Sequence, residues 1–356
     1  MRQYLIIFSL LVAFSLSAQN KVAFTKLVKE TSGIYTLDGS PYTGESLILW
    51  PSNNKPMQRV EWKNGKIHGT FESWYEDGKQ DQIVGYKEGV RHGEFKTFYT
   101  NGAPEVHCRY KDGILDGAYM SYEKSGKRQK QVTFVDGLEQ GPFKLYHTNG
   151  NIEQEGSYTD GKPDGLVVSY DREGNKRKEI NYKNGLRDGR STLYHISGEV
   201  AETADYKNGF AQGEKRVFTL EGKVFLVENY ANGKLYGVST TYTMSGLPLE
   251  IKTYKDGLLH GEYILYKEQG VHTKGQYKDG LKTGDWIEHA FAEGGADKGA
   301  YIKGKKNGPW ELGATNIFGK CKGEFIDNMK HGTWVYWKHN GKKWKTEKWD
   351  NGVLIK

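Results

Sequence analysis

Four histidines are the residues whose type and spacing come nearest to a chemical site. They recur at one position of the chain's pattern, immediately before a glycine, as His68, His92, His260 and His331. Imidazole is a common ligand of zinc, so the recurrence raises the question of a metal centre. The same position is filled elsewhere by other polar residues: Asp116, Gln140, Asp164, Asp188, Gln212 and Thr283. We therefore interpret it as a polar loop position whose histidines are structural or solvated, and we predict no metal.

The short motifs of enzymes are missing from the sequence. No Cys-x-x-Cys, His-Glu-x-x-His, Gly-x-Ser-x-Gly or phosphate-loop pattern occurs, and such motifs hold zinc, activate a nucleophile or bind phosphate. The Asp and Glu residues fall at turns rather than in pairs on one element. We predict a non-enzymatic protein without a cofactor. The alternative is an enzyme whose site lies in the irregular stretch 289–324.

A basic and aromatic segment near residue 340 could bind anions. Its Trp337 and Trp344 are interleaved with five lysines: Lys338, Lys342, Lys343, Lys345 and Lys348. The chain has a formal net charge of +7, and a surface of this kind attracts lipid headgroups, lipopolysaccharide or nucleic acid. An anionic ligand would be tested here first. Lysines elsewhere recur beside turns, as Lys63 and Lys111 do, which is typical of solvated strand ends.

The elements that position these residues follow from a period. Steps of 24 residues from Trp62 reach an aromatic residue every time as far as Tyr254, and after one step of 23 the series resumes from Tyr277 to Trp349. A fixed period of about 20–50 residues indicates a repeat architecture. Repeat arrays present long surfaces to partners, and they seldom gather an active site.

Each repeat is predicted to be one β-hairpin. An Asn-Gly or Asp-Gly step, such as Asn64-Gly65, follows the aromatic anchor in ten of thirteen repeats, and a second turn lies near Asn101-Gly102. These steps are strong hairpin signals because their residues tolerate positive φ. Aromatic and β-branched residues between the turns suit a pleated surface. We predict an all-β, elongated, single-layer array of 24-residue antiparallel hairpins.

Other recurring positions predict how the array packs. One aromatic position forms a series that should stack into a ladder: Trp74, Phe98, Tyr122, Tyr146, Tyr170, Tyr194, Phe218, Tyr242 and Tyr266. Large rings bury much area, so we interpret the ladder as core, with a glycan or peptide platform as the alternative. Repeat glycines are expected at positive φ or at close approaches: Gly117, Gly141 and Gly189. Cys108 and Cys321 lie nine repeats apart, and a disulfide needs Cα atoms within about 7 Å, so both are predicted to be buried free thiols.

The repeat resembles the MORN repeat in its bacterial variant, which has an aromatic residue, Lys, Asn or Asp, Gly, and three residues before the next Gly. Tyr110-Lys111-Asp112-Gly113 followed by Gly117 shows the pattern. The resemblance covers about residues 62–356, twelve full repeats and a final half. It implies the hairpin array. Proteins of this variant include the antitoxin-like YwqK family, and that resemblance implies binding to a protein partner.

The ends of the chain differ from the repeats. Residues 1–18 combine Arg2, an apolar run from Tyr4 to Phe14 and small residues up to Ala18. This is the pattern of a secretory signal peptide, and the run is too short to span a bilayer. No later segment is apolar enough to be a transmembrane segment. Residues 19–61 keep a blurred repeat and are predicted to form a degenerate N-terminal capping repeat.

Residues 289–324 break the pattern. Their repeat is preceded by the shortened step, and His289 and Gly313 stand where an aromatic residue is expected. Departures from local consistency are where functional sites tend to lie. We predict a bend here, flanked by partly exposed Trp286 and Trp310. With Trp337 and Trp344, they are the candidate binding residues.

These observations together predict an exported protein, periplasmic or secreted, that binds a protein partner as a scaffold at the cell envelope. The alternative is a carbohydrate- or lipid-binding envelope protein, whose aromatic ladder and basic patches hold a glycan or an anionic lipid headgroup. Export argues against nucleic acid as a partner.

Overall fold

The computed structural model describes residues 21–267, 270–291, 295–315 and 317–356. The predicted signal peptide, residues 1–18, lies outside the described residues. The described chain consists of β-strands and one 3₁₀ turn, Phe24–Lys26, which confirms the all-β prediction. It divides into two units, Met1–Asn151 and Ile152–Lys356.

The first unit holds the strands of the N-terminal segment and the first repeats. They are β1 Lys21–Ala23, β2 Val28–Lys29, β3 Tyr35–Leu37, β4 Ser40–Pro41, β5 Gly44–Leu49, β6 Pro56–Lys63, β7 Lys66–Trp74, β8 Gln80–Lys87, β9 Val90–Phe98, β10 Pro104–Lys111, β11 Ile114–Leu115, β12 Gly117–Tyr122, β13 Arg128–Val135 and β14 Leu138–Tyr146. From β5 onward each strand pairs antiparallel with the next, β11 and β12 both pairing with β10. β1 runs parallel to β5, a pairing that the hairpin prediction did not include.

The second unit continues the same pattern of strands. They are β15 Ile152–Thr159, β16 Lys162–Pro163, β17 Gly165–Tyr170, β18 Lys176–Lys183, β19 Leu186–Tyr194, β20 Val200–Lys207, β21 Phe210–Phe218, β22 Val224–Ala231, β23 Lys234–Leu235, β24 Gly237–Tyr242, β25 Pro248–Lys255, β26 Leu258–Lys267, β27 Gly270–Lys278, β28 Leu281–Phe291, β29 Gly295–Ile302, β30 Lys305–Leu312, β31 Lys320–Ile326, β32 Met329–Trp337, β33 Lys343–Asp350 and β34 Val353–Leu354. Neighbours in the chain pair antiparallel, except that β16 and β17 both pair with β15, and β23 and β24 both pair with β22. The predicted array of hairpins is confirmed.

The Asn/Asp-Gly turns have the conformation that their sequence predicts. Asn64 and Gly65 have φ of 50° and 73°, and positive φ at both central residues defines the type I′ turn that matches strand twist. The turn glycine also joins repeats, since the amide of Gly113 donates to the carbonyl of Arg91 at 2.8 Å. One dipeptide thus closes its own hairpin and bonds to the preceding one.

The predicted glycines also have positive φ. The angles are 109° at Gly117, 73° at Gly141 and 105° at Gly189. A Cβ added at Gly141 would meet nothing within 4 Å. Backbone conformation, rather than a close neighbour, therefore selects glycine at that position.

The core of the first unit lies on one face of its sheet, which we call the packed face. The residue two positions before each aromatic anchor lies on the packed face. These residues are Val60, Val84, Cys108 and Val132, each 2–4% exposed. Across neighbouring strands they meet aromatic side chains, as Val84 meets Phe95. Residues of the N-terminal segment, among them Leu27 and Tyr42, bury the first anchor Trp62. This packing is what a capping segment requires, although its assignment as a degenerate repeat stays a prediction.

Both cysteines are buried free thiols, as predicted. Burial raises the pKa of the Cys108 thiol and of the Cys321 thiol to about 11 in each case. Because the thiolate is the reactive form, these residues act as small core side chains.

Candidate functional site

Trp286 and Trp310, predicted to be partly exposed binding residues, are buried. Their side chains are 1% and 2% exposed, so the prediction is wrong. Each indole lies flat against a glycine: a Cβ would fall 2.1 Å from Trp286 at Gly275 and 2.2 Å from Trp310 at Gly299. A single layer of strands can bury these large rings because the glycine on the neighbouring strand leaves room for the indole to lie against the backbone.

Lysine side chains cover the same indoles from another side. The Nζ of Lys282 lies 4.3 Å from the Trp286 ring centroid, and that of Lys306 lies 4.1 Å from Trp310. A cation over an aromatic face is stabilising. Trp334 repeats the arrangement with Gly323. We call this set the tryptophan core: Trp286, Trp310, Trp334, Gly275, Gly299 and Gly323. Its indoles are packing residues.

A buried ion pair accompanies the tryptophan core. Glu288 is 6% exposed; its carboxylate is bonded by Lys282 and accepts a hydrogen bond from the Tyr301 hydroxyl at 2.9 Å. Burial by itself raises the pKa of Glu288, but the bonds from Lys282 and Tyr301 outweigh it and lower the pKa. Sequence reasoning missed this residue. The available signal was a glutamate at a position that is leucine in the neighbouring repeats, Leu265 and Leu312.

The repeat positions that form the packed face in the first unit carry different residues in the middle of the second unit. Small and charged side chains replace the rings there, and we call the set the polar row: Ala204, Lys215, Glu228, Ser239 and Lys252. Lys215 is paired with Glu202 at 3.0 Å and Lys252 with Glu250 at 2.7 Å. Each of these two lysines is thus paired with a glutamate outside the row.

The aromatic ladder is half-buried along its whole series. Some hydroxyls bond to glutamates of the preceding strand, as Tyr170 does to Glu155 at 2.9 Å and Tyr194 to Glu179 at 2.7 Å. Burial, with the bond to Glu179, raises the pKa of Tyr194 to about 12. These rings contribute to packing, and the recognition role of the ladder stays an alternative.

The irregular stretch is described only in part. His289 has a φ of 51°, and the register shifts between Glu288 and Phe291. Beyond it, β30 and β31 pair without a shift from Gly308 to Leu312. The predicted bend depends on residues 292–294 and 316, which lie outside the described residues, so it stays a prediction.

An exposed apolar patch was missed by sequence reasoning. Ile196, Leu220 and Met244 occupy successive repeats at one loop position and are 77%, 61% and 63% exposed. Leu247 of the third loop is 66% exposed. We call these four residues the loop-tip patch. The signal was available, since the same position in the first unit is polar: Glu76, Thr100 and Lys124.

The basic segment near residue 340 forms a cleft of about 400 Å³. We call it the C-terminal cleft, and its lining is Ile317, Lys338, His339, Asn340 and Trp344. Of the four predicted binding tryptophans, Trp344 is the exposed one, at 43%. Trp337 is half-buried under the Nζ of Lys320, 5.5 Å from its ring centroid.

Three of the four repeated histidines, His68, His92 and His260, lie beside acidic turn residues of the next repeat, and the Nδ1 of His331 lies 3.5 Å from Asp350 at a strand end. The Nδ1 atoms of His68 and His260 lie 3.1 Å from carboxylate oxygens of Glu88 and Asp279. This supports a structural role. Over the described ranges, no group of three His, Cys, Asp or Glu side chains could hold a metal ion. In the same part of the chain, no helix is long and apolar enough to cross a membrane.

Comparison with known proteins bears on this architecture. The family model of the MORN repeat variant matches residues 91–112, 139–160 and 163–184. The comparison with curated proteins found no match. The chain is similar to a solved structure titled "Crystal Structure of TcdB2-TccC3-TEV", with 8% identity and a TM-score of 0.17, over 90% of this chain and 24% of that one. So low a score carries no argument. The three matched segments are thus similar to the MORN repeat variant, and hairpins of the same kind recur along the described chain.

Proposed function

We propose that this chain is a non-enzymatic scaffold that binds a protein partner through the loop-tip patch of its second unit. The observation that carries the proposal is the exposure of Ile196, Leu220 and Met244, each above 60%. Successive repeats place them about 10 Å apart, two strand spacings. Contiguous exposed apolar side chains mark interaction sites on soluble proteins.

The loop-tip side chains are not needed to hold their loops. The loops are closed by backbone hydrogen bonds, as the amide of Thr219 donates to the carbonyl of Lys223 and that of Thr243 to Leu247, both at 2.8 Å. Neighbouring loops are joined by Lys223, whose Nζ donates to the Met244 carbonyl at 3.1 Å. Polar residues serve at the same tips in the first unit. The apolar side chains are therefore not required for folding, which supports a role in binding a partner.

Export to the cell envelope is the second part of the proposal. It is supported by the signal-peptide pattern of residues 1–18. The finer resemblance to the antitoxin-like YwqK family points to the same class of partner, a protein. Fractionation of cells that express the whole chain, beside a chain lacking residues 1–18, tests the location. We expect the whole chain outside the cytoplasm and the shortened chain inside it. Equal distribution would contradict export.

Affinity capture from envelope extract tests the partner surface. The bait is residues 19–356, which we call the mature chain, compared with a variant in which Ile196, Leu220 and Met244 are each changed to Ser. The matched control makes the same change at the equivalent tips of the first unit: Glu76→Ser, Thr100→Ser and Lys124→Ser. We expect a protein captured by the wild type and the control but lost with the patch variant. Capture that is unchanged by the patch variant would contradict the proposed surface.

A further inference from the structure

The positive charge of the chain is concentrated near its C-terminus. Residues 270–356 contain 16 lysines, no arginine and 10 acidic residues, so they carry +6 of the formal net charge of +7. The rest of the chain is almost neutral. A charge concentrated in this way raises the local concentration of anions.

Three lysines around the C-terminal cleft differ from the ion-paired lysines of the second unit. Several strand lysines of the second unit face a carboxylate, as Lys274 faces Glu262 at 2.9 Å and Lys345 faces Glu347 at 2.7 Å. Within the described part of the chain, Lys338, Lys342 and Lys343 form no ion pair. Their charges are available to a ligand.

Apolar walls stand beside these free charges. Trp344 is 43% exposed and Ile317 is 74% exposed, and both line the cleft. The cleft is held in shape by a hydrogen bond between the His339 ring and the Thr315 carbonyl, 2.8 Å from Nε2 to the oxygen. The turn that carries Lys338 is closed by a bond from the Lys338 amide to the Lys342 carbonyl, also 2.8 Å.

We propose that the C-terminal cleft binds an acidic polysaccharide. One sugar ring lies with its C–H face against Trp344 and Ile317, and its carboxylate lies beside the ammonium of Lys338. Lys342 and Lys343 meet the acidic groups of adjoining sugars. Indole faces stack on apolar C–H surfaces, and unpaired ammonium groups bind carboxylates as point charges.

The shape of the site favours a polysaccharide over a membrane. A shallow, open cleft of about 400 Å³ falls within the volume range of small-ligand sites, about 300–1,000 Å³, and leaves a chain of sugars free to continue on either side. Membrane-surface binding relies instead on a protruding apolar face that enters the lipid interface. An acidic peptide would meet the lysines but would leave the indole face without a matched partner.

Titration of the mature chain with a galacturonic acid oligomer tests the proposal. Binding is followed by calorimetry and tryptophan fluorescence, beside neutral dextran, polyglutamate and phosphatidylglycerol vesicles. We expect the oligomer to bind, with affinity falling as salt rises, and dextran to bind at least about tenfold more weakly because it lacks charge. Failure of the oligomer to bind would overturn the proposal, as would tighter binding of polyglutamate or of vesicles.

Two variants separate the parts of the site. Trp344→Ala is expected to weaken oligomer binding about tenfold through loss of the stacking face. Lys338→Gln is expected to weaken it several-fold and to reduce its salt dependence. The controls are Phe225→Ala, which changes the exposed residue at the same repeat position as Trp344, and Lys79→Gln, which removes a lysine from the equivalent turn of the first unit. Both should bind as the wild type does. Equal losses in controls and cleft variants would overturn the assignment.

Discussion

The tryptophan core and the polar row place different side chains on one repeated backbone. In the tryptophan core each indole lies opposite a glycine of the paired strand; Trp286, for example, lies opposite Gly299. In the polar row charged residues lie opposite each other on paired strands; Lys215, for example, lies opposite Glu228. Burial of apolar surface is worth about 25 cal/mol per Å², whereas accessible ion pairs contribute about 0–1 kcal/mol. The turns thus specify the hairpin, and the packed face sets how stable each hairpin is.

Truncation of an indole should produce the largest contrast. We expect Trp310→Ala to cost about 3–5 kcal/mol, the usual range for a buried aromatic residue. Lys215→Ala, at the same repeat position, should cost under about 1 kcal/mol. Thermal melts of the mature chain followed by tryptophan fluorescence and circular dichroism check the ranking. Equal losses at the two positions would break the comparison.

A methyl group added beneath the indole should come next. Gly299→Ala places a Cβ 2.2 Å from the Trp310 ring, and we expect a loss of about 2–3 kcal/mol from overpacking. Ala204→Gly, the reverse change at the equivalent position of the polar row, should cost about 1 kcal/mol through chain entropy. Adding Trp310→Ser to Gly299→Ala should relieve the overpacking, because serine and a larger residue already face each other at Ser191 and Ile180. If the double variant loses as much stability as the sum of the two single variants, the explanation is contradicted.

Backbone strain in the first unit should give a smaller effect. Gly141 has a φ of 73° and open space around it, so Gly141→Val should cost about 1–3 kcal/mol through conformation alone. Gln140→Ala should cost under about 1 kcal/mol. At the same repeat position, Gln212 accepts one hydrogen bond from the amide of Asn232 at 3.0 Å, and one such bond is worth about that much. Melts that rank the two variants the other way would contradict the hairpin register.

The smallest expected effect depends on pH. Burial raises the pKa of Glu347, but bonds from Lys345, Tyr336 and Trp349 outweigh it and lower the pKa to about 2, from its ordinary value of 4.5. A lowered pKa stabilises the folded state at pH values above the pKa of the unfolded chain. This stabilisation is lost as the pH falls from 4.5 towards 2. Glu347→Gln should therefore cost about 1–2 kcal/mol at neutral pH. The melting temperatures of the variant and the wild type should converge as the pH approaches 2. A difference that does not shrink would contradict the assignment.

The hairpins could be predicted because their signals are local. Asn64-Gly65 defines a turn by the φ angles its residues tolerate, and the anchors mark the strands by their spacing. The elongated shape of the array stays a prediction. The burial of Trp286 and Trp310 could not be read in this way, because it depends on which residue of a neighbouring strand lies beneath each ring. Glycines two positions before an anchor, as at Gly299, are the signal that would have indicated it.

The candidate site was predicted in part. Trp344 and its lysines were singled out from composition, and the structure places them with Ile317, a residue 27 positions away in sequence. The loop-tip patch was missed because each apolar residue is unremarkable in its own loop. Aligning the repeats position by position would have revealed three consecutive departures from polarity.

Hydrogen exchange on the mature chain tests the central claim most directly, since it reports stability hairpin by hairpin. The account predicts that strand amides of residues 284–312, in the tryptophan core, exchange at least about tenfold more slowly than those of residues 200–255, in the polar row. Trp310→Ala should remove that difference, while Lys215→Ala should leave it in place. Equal protection of the two stretches, or slower exchange in the polar row, would contradict the claim that the packed face sets the stability of each hairpin.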